Sequence, residues 1–201
     1  MIKAFLFDYD GVMTTGVQDG VPASRLADKI GVTQEKASEW IATIWNPYST
    51  GAMSDEDAWF EIEKQYGKPI SPEQRDIWYK WEELMPLLEM IELVKELKTK
   101  GYTVGLLSNV FPVTAQLIRE NGGYQGFDFI VLSCEAGARK PDPKVYETAL
   151  AQLKDVDVSE VIFLDDRERC IEGAEKLGIK GIHVTDHGKA IEEVHQLTAI
   201  L

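Results

Sequence analysis

Ile2-Lys-Ala-Phe-Leu-Phe-Asp-Tyr-Asp-Gly-Val12 opens with a short apolar run that stops on two aspartates, Asp8 and Asp10. The run is nearly continuous rather than alternating, as expected of a strand buried on both faces of a parallel sheet. Similar runs follow at Thr103–Leu107, Phe129–Leu132 and Val161–Leu164, with a weaker one at Gly181–Val184. Helical patterns lie between them. Pro86–Lys100 places Leu87, Leu88, Met90, Ile91, Leu93, Val94 and Leu97 at three-and-four spacing, and Gly101 closes it. Pro112–Glu120 runs to Asn121-Gly122, and Asp142-Pro143 reads as N-cap and first residue of a helix over Lys144–Leu153. Glu168–Leu177 ends at Gly178. Strands alternating with helices predict an α/β fold, a doubly wound parallel sheet with right-handed crossovers.

Residues 14–85 break this rhythm, being far more than one crossover needs. Thr33 and Ser54 each read as a helix cap, and Ser71-Pro-Glu-Gln74 as a capping box opening a third helix. All five tryptophans, Trp40, Trp45, Trp59, Trp78 and Trp81, fall here. The expectation is an inserted helical subdomain over 14–85 with its own aromatic core, and an α/β core made of 1–13 and 86–201. Most of the tryptophans read as packing. Trp45, Asn46 and Tyr48, in a segment that looks like a loop, are the candidates for facing a cleft.

The net charge of -13 over 201 residues argues against nonspecific binding to nucleic acid or to an anionic membrane. An anionic substrate would need a local cation, either a metal or a placed lysine. Hydrophobic residues at 44% and charged residues at 27% fit an ordinary globular domain. Cys134 and Cys170 form neither a disulfide framework nor a zinc motif, and read as packing residues. The short apolar start is no signal peptide and no stretch is long enough to span a bilayer, so a cytoplasmic location is expected. His183, His187 and His195 match no zinc spacing. Glu168, Arg169, Asp155, Asp157 and Asp186 read as surface charges or caps.

In open α/β sheets, ligands bind at the carboxyl ends of the strands. Here those ends carry Asp8 and Asp10, then Ser108 and Asn109, then Asp165 and Asp166, with Arg139-Lys-Pro-Asp-Pro143 just beyond the third strand. A lone Asp-x-Asp is usually a solvated turn, but polar groups at every one of these places are not what packing alone predicts. In extended chain, Asp8 and Asp10 point to one side. With Asp165 they supply hard oxygen ligands of the kind Mg²⁺ favours alongside a phosphate. Phosphoryl transfer needs positioning and charge neutralisation, and these groups supply both. Asp8 is the candidate nucleophile, Asp10 the acid and base, Ser108 a phosphate ligand and Lys140 the fixed positive charge.

Four motifs carry a resemblance. Phe7-Asp-Tyr-Asp-Gly-Val-Met-Thr14, Leu106-Leu-Ser-Asn109, Arg139-Lys-Pro-Asp-Pro143 and Phe163-Leu-Asp-Asp-Arg-Glu-Arg-Cys-Ile-Glu-Gly-Ala174 resemble the signature motifs of the haloacid dehalogenase-like hydrolases. The fourth resembles the branch of bacterial sugar-phosphate phosphatases and epoxide hydrolase N-terminal phosphatase domains. The resemblance implies a Rossmann-like core with a helical cap, and hydrolysis of a small phosphorylated metabolite, such as a sugar phosphate, through an aspartyl-phosphate. It implies Mg²⁺ on Asp8, on the Asp10 backbone carbonyl and on Asp165, with Asp166 acting through water. It gives Ser108 and Asn109 the phosphate, and Lys140 both nucleophile and phosphate. Two positions depart from the pattern. Tyr9 is larger than usual between the aspartates, and strand alternation turns it away from the site. Cys170 stands where asparagine is common, which removes a hydrogen bond near the metal.

A 2-haloacid dehalogenase also uses an aspartate nucleophile, but the resembling dehalogenases lack the second aspartate. Phosphomutases of this resemblance use a cap histidine, and residues 11–100 contain none. A phosphorylation-switched receiver domain places its acidic pair on the first strand and its lysine after the last, the reverse of the order here. An inactive binding protein would not need the complete set of motifs.

Overall fold

The computed structural model describes residues 1–17 and 20–199. β1 (Ala4–Phe7) is buried at all four positions and occupies the centre of a five-stranded parallel sheet. The other strands are β2 (Thr103–Ser108), β3 (Phe129–Leu132), β4 (Val161–Asp165) and β5 (Lys180–His183). The order across the sheet is β3-β2-β1-β4-β5. Phe7 pairs in register with Leu106 on one side and Leu164 on the other. The residues that follow therefore emerge at one edge, where the strand order reverses beside β1 and a crevice opens.

Successive residues of β1 feed opposite cores, as a strand pleat requires. Phe5 and Phe7 pack in a cluster with Met90, Leu93 and Leu97 of α4 (Leu88–Thr99), Ile118 of α5 (Pro112–Glu120) and Val194 of α9 (His187–Ala199). Ala4 and Leu6 pack with Val145 and Tyr146 of α7 (Pro143–Leu150) and Ile171 and Ala174 of α8 (Glu168–Glu175). Helices thus cover both faces, which accounts for apolar runs without alternation. A one-turn helix, α6 (Ser133–Ala136), follows β3 directly.

Between β1 and α4 lie α1 (Val21–Ile30), α2 (Gln34–Ser49) and α3 (Asp55–Tyr66). Thr33 and Ser54 accept backbone N–H groups of α2 and α3 as expected of caps. Ser71 instead opens only a 3-10 turn, Pro72–Gln74, and no long helix follows before Leu88. Trp45-Asn46-Pro47-Tyr48 is not a loop, because α2 runs through it with Pro47 inside. Trp59 and Trp78 are buried in a third cluster with Leu26, Ile44 and Tyr48, and Phe111, from the segment entering α5, joins them. Trp81 is the exception among the tryptophans, since it packs against the sheet's own cluster. No helix among the described residues is long and apolar enough to cross a membrane.

Candidate active site

Asp8 follows β1 and is held by two donors on the same oxygen. The Tyr9 backbone N–H donates to Oδ1 at 2.7 Å, and Lys140 Nζ lies 2.9 Å from it. Lys140 Nζ also donates to Asp165 Oδ2 at 2.6 Å, so a single buried ammonium bridges two strand ends. Burial works against that charge, but the carboxylates of Asp165 and Asp8 hold the Lys140 pKa above its ordinary value. Burial also pushes the Asp8 carboxyl up to about 7, with Lys140 pulling down and Asp165 pushing up. Asp165 Oδ1 accepts the Arg167 N–H at 2.8 Å, which fixes the turn after β4.

Carboxylate oxygens of Asp8, Asp165 and Asp166 all lie within 4.8 Å of one another. Asp166 Oδ1 is buried and has no hydrogen-bond partner among the described residues. The three carboxylates outnumber the cations acting on them, Lys140 and Arg167, and a buried carboxylate oxygen without a donor is costly. Both facts fit a hard divalent cation, and Asp8, Asp165 and Asp166 are the side chains that would hold it. Gly11 makes this convergence possible. Its φ is +80°, and a Cβ there would stand 2.6 Å from Asp166 Cγ.

Asp10 is not on the strand. The chain turns after Asp8, so the alternation expected for an extended Asp-x-Asp does not apply. Asp10 Oδ1 accepts Thr14 Oγ1–H at 2.9 Å and the Val17 N–H at 3.1 Å. Its carboxylate stays outside the three-carboxylate group. Burial raises its pKa, and the Thr14 and Val17 hydrogen bonds hold it back. Tyr9 donates its hydroxyl to the Leu84 carbonyl at 2.9 Å and packs edge-on against Tyr124, and the residue is among those bordering the cleft.

Ser108, the last residue of β2, is buried and lines the same cleft. Asn109 lines the cleft as well, and its side chain braces the lysine loop. Its Oδ1 accepts the Lys140 N–H at 2.8 Å and its Nδ2 donates to the Lys140 carbonyl at 3.0 Å. Both ends of the amide are engaged with the Lys140 backbone, so Asn109 positions the lysine. Gly173 supports the same loop from α8, because a Cβ there would meet Pro141 Cβ at 2.8 Å. Cys170 is packed in the core, and burial pushes its thiol up to about 11.

Of the three residues expected to face a cleft, only Trp45 does. Tyr48 is fully buried, its ring stacked on Phe111 and its hydroxyl donated to Asp55 at 2.7 Å. Asn46 is exposed on α2, outside the cleft lining. The sequence reading missed Thr14, Arg139 and Arg167. Thr14 is fully buried and orders the turn around Asp10, while the two arginines line the cleft. Each lies within a motif already singled out, so their position was the available signal.

This fold and this site define a hydrolytic enzyme of the doubly wound α/β class. The family model of haloacid dehalogenase-like hydrolases matches residues 2–178, and the chain belongs to that family. Over 97% of its length and 96% of the relative's, it is 29% identical to the sesquiterpene phosphatase astK of Aspergillus oryzae. Over 97% of its length and 88% of the relative's, it is 26% identical to the (S)-2-haloacid dehalogenase of Pseudomonas sp. strain YL. Among solved structures it superposes, with a TM-score of 0.74 and 24% identity, on the family enzyme bt-2542 of Bacteroides thetaiotaomicron in complex with magnesium and inorganic phosphate. That match covers 90% of this chain and 93% of the other.

Proposed function

We propose that the protein is a Mg²⁺-dependent phosphoric monoester phosphatase acting on a small phosphorylated metabolite, with residues 14–85 as its cap. The observation that carries this reading is Asp10. Its carboxylate is held by Thr14 and Val17 apart from the Asp8, Asp165 and Asp166 group, with burial raising its pKa. That arrangement suits a group that carries a proton rather than one that binds a cation. Dehalogenation has no use for such an acid, because a halide leaves unprotonated. The relative named as a phosphatase over its whole length supports the same reading.

Mg²⁺ bound by Asp8, Asp165 and Asp166 would supply the charge that keeps Asp8 ionised and neutralises the phosphoryl oxygens. Asp8, oriented by Lys140 and the Tyr9 N–H, attacks phosphorus and forms an acyl-phosphate bond as the P–O bond to the alcohol breaks. Asp10 gives its proton to the departing oxygen. Asp10 then takes a proton from water, whose oxygen attacks the same phosphorus, releasing inorganic phosphate and regenerating Asp8. Ser108 and Lys140 hold phosphoryl oxygens throughout, while Asn109 keeps Lys140 in place. The test is phosphate release from an aryl phosphate with Mg²⁺, set against halide release from 2-chloropropionate. Mg²⁺-dependent phosphate release is expected. Halide release without metal, and no phosphate, would establish the dehalogenase instead.

A further inference from the structure

The cleft around Asp8 is made of two kinds of surface. Its charged groups come from the strand ends and the loops after β1, β3 and β4. The insert, the entry to α5 and α5 itself contribute Val17, Trp45, Leu84, Val110, Phe111 and Ile118. Trp45 and Phe111 meet edge-on with ring centroids 4.7 Å apart, giving the wall a rigid aromatic corner.

Two hydroxyls of that wall are already engaged within the protein. The Tyr9 hydroxyl donates to the Leu84 carbonyl, and the Ser49 hydroxyl donates to the Asn46 carbonyl of its own helix at 3.2 Å. Thr114 Oγ1 is buried in the wall with no partner among the described residues. It can meet one hydrogen-bonding group. A hexose brings several hydroxyls, and each one buried here without a partner would weaken binding.

We infer that the leaving group is a predominantly hydrocarbon alcohol, so that the substrate is an alkyl, terpenoid or aryl monophosphate rather than a sugar phosphate. The inference rests on the phosphatase reading of the same site. Burying one methylene is worth about fourfold in transition-state binding. Linear alkyl alcohols from ethyl to hexyl differ little in acidity, so their monophosphates report wall contact rather than leaving-group chemistry.

The experiment measures kcat/KM with Mg²⁺ for ethyl, butyl and hexyl phosphate, glucose 6-phosphate and 4-nitrophenyl phosphate. A rise on the order of a hundredfold from ethyl to hexyl is expected, with glucose 6-phosphate below hexyl. The Trp45→Gln variant, which replaces the indole with a polar amide, is expected to flatten that rise at least tenfold. Turnover of 4-nitrophenyl phosphate with a flat alkyl series, or with glucose 6-phosphate preferred, overturns the inference and leaves the phosphatase standing. Release of phosphate from none of the five overturns the phosphatase reading and the inference with it.

Discussion

Replacing Lys140 by methionine keeps most of its volume and removes the one ammonium that bridges Asp8 and Asp165. The side chain is 1% exposed, and its Nζ stands 2.9 Å from Asp8 Oδ1 and 2.6 Å from Asp165 Oδ2. Breaking a buried ion pair by removing one partner costs about 3–5 kcal/mol. At roughly 2–4 °C per kcal/mol for a chain of this size, the metal-free Tm should fall by about 6–20 °C. The loss should depend on pH. Asp8 already titrates near 7 in the folded state, above its ordinary value of 3.8, so the folded protein holds a proton there that the unfolded chain has released. Such a group costs stability as pH rises through that window. Without Lys140 its pKa rises further, and the cost extends to higher pH. Thermal unfolding followed by circular dichroism in chelator, near pH 5.5 and near pH 8.5, reads the effect; the gap between wild type and Lys140→Met should be wider at the higher pH. An equal gap at both, or no loss at either, would show that Lys140 does not compensate these carboxylates.

Asp8→Asn should flatten the metal-free stability profile between about pH 4 and 7, because the wild type loses stability there as the raised Asp8 carboxyl ionises; a wild type with no such decline would contradict the placement of Asp8. Gly11→Ala forces a Cβ toward Asp166 at φ +80°, and should destabilise by about 1–3 kcal/mol in urea unfolding while also reducing Mg²⁺-dependent turnover. Asp10→Asn should lower kcat on the order of 10²–10⁴-fold with little change in Tm, since the residue moves a proton rather than holding the fold; steady-state kinetics beside a melting curve checks both halves.

Much of the core was legible because parallel strands buried on both faces announce themselves as unbroken apolar runs. Phe129–Leu132 and Pro112–Glu120 were read with the bounds observed. The strand-end argument worked for the same reason, since a residue following a buried run has only one edge on which to emerge. The insert was less legible. α1 has Gly20 as its N-cap and so no side-chain cap, and α2 continues through Pro47 against the local signal. Tertiary packing of Tyr48, Trp78 and Phe111 outweighs that signal. Within the site, the contacts that stayed illegible were those with a distant partner. Asn109 is committed to Lys140, 31 positions away, and Tyr48 to a ring that belongs to the core segment. Residue spacing along the chain carries no record of such pairings.

The central claim is a covalent bond between phosphorus and Asp8. Acid quenching during turnover of an aryl phosphate with Mg²⁺, followed by proteolysis and mass spectrometry, should find phosphate on the peptide that carries Asp8, and none with chelator or in Asp8→Asn. Phosphate release that persists in Asp8→Asn, with no labelled peptide at any quench time, would contradict it.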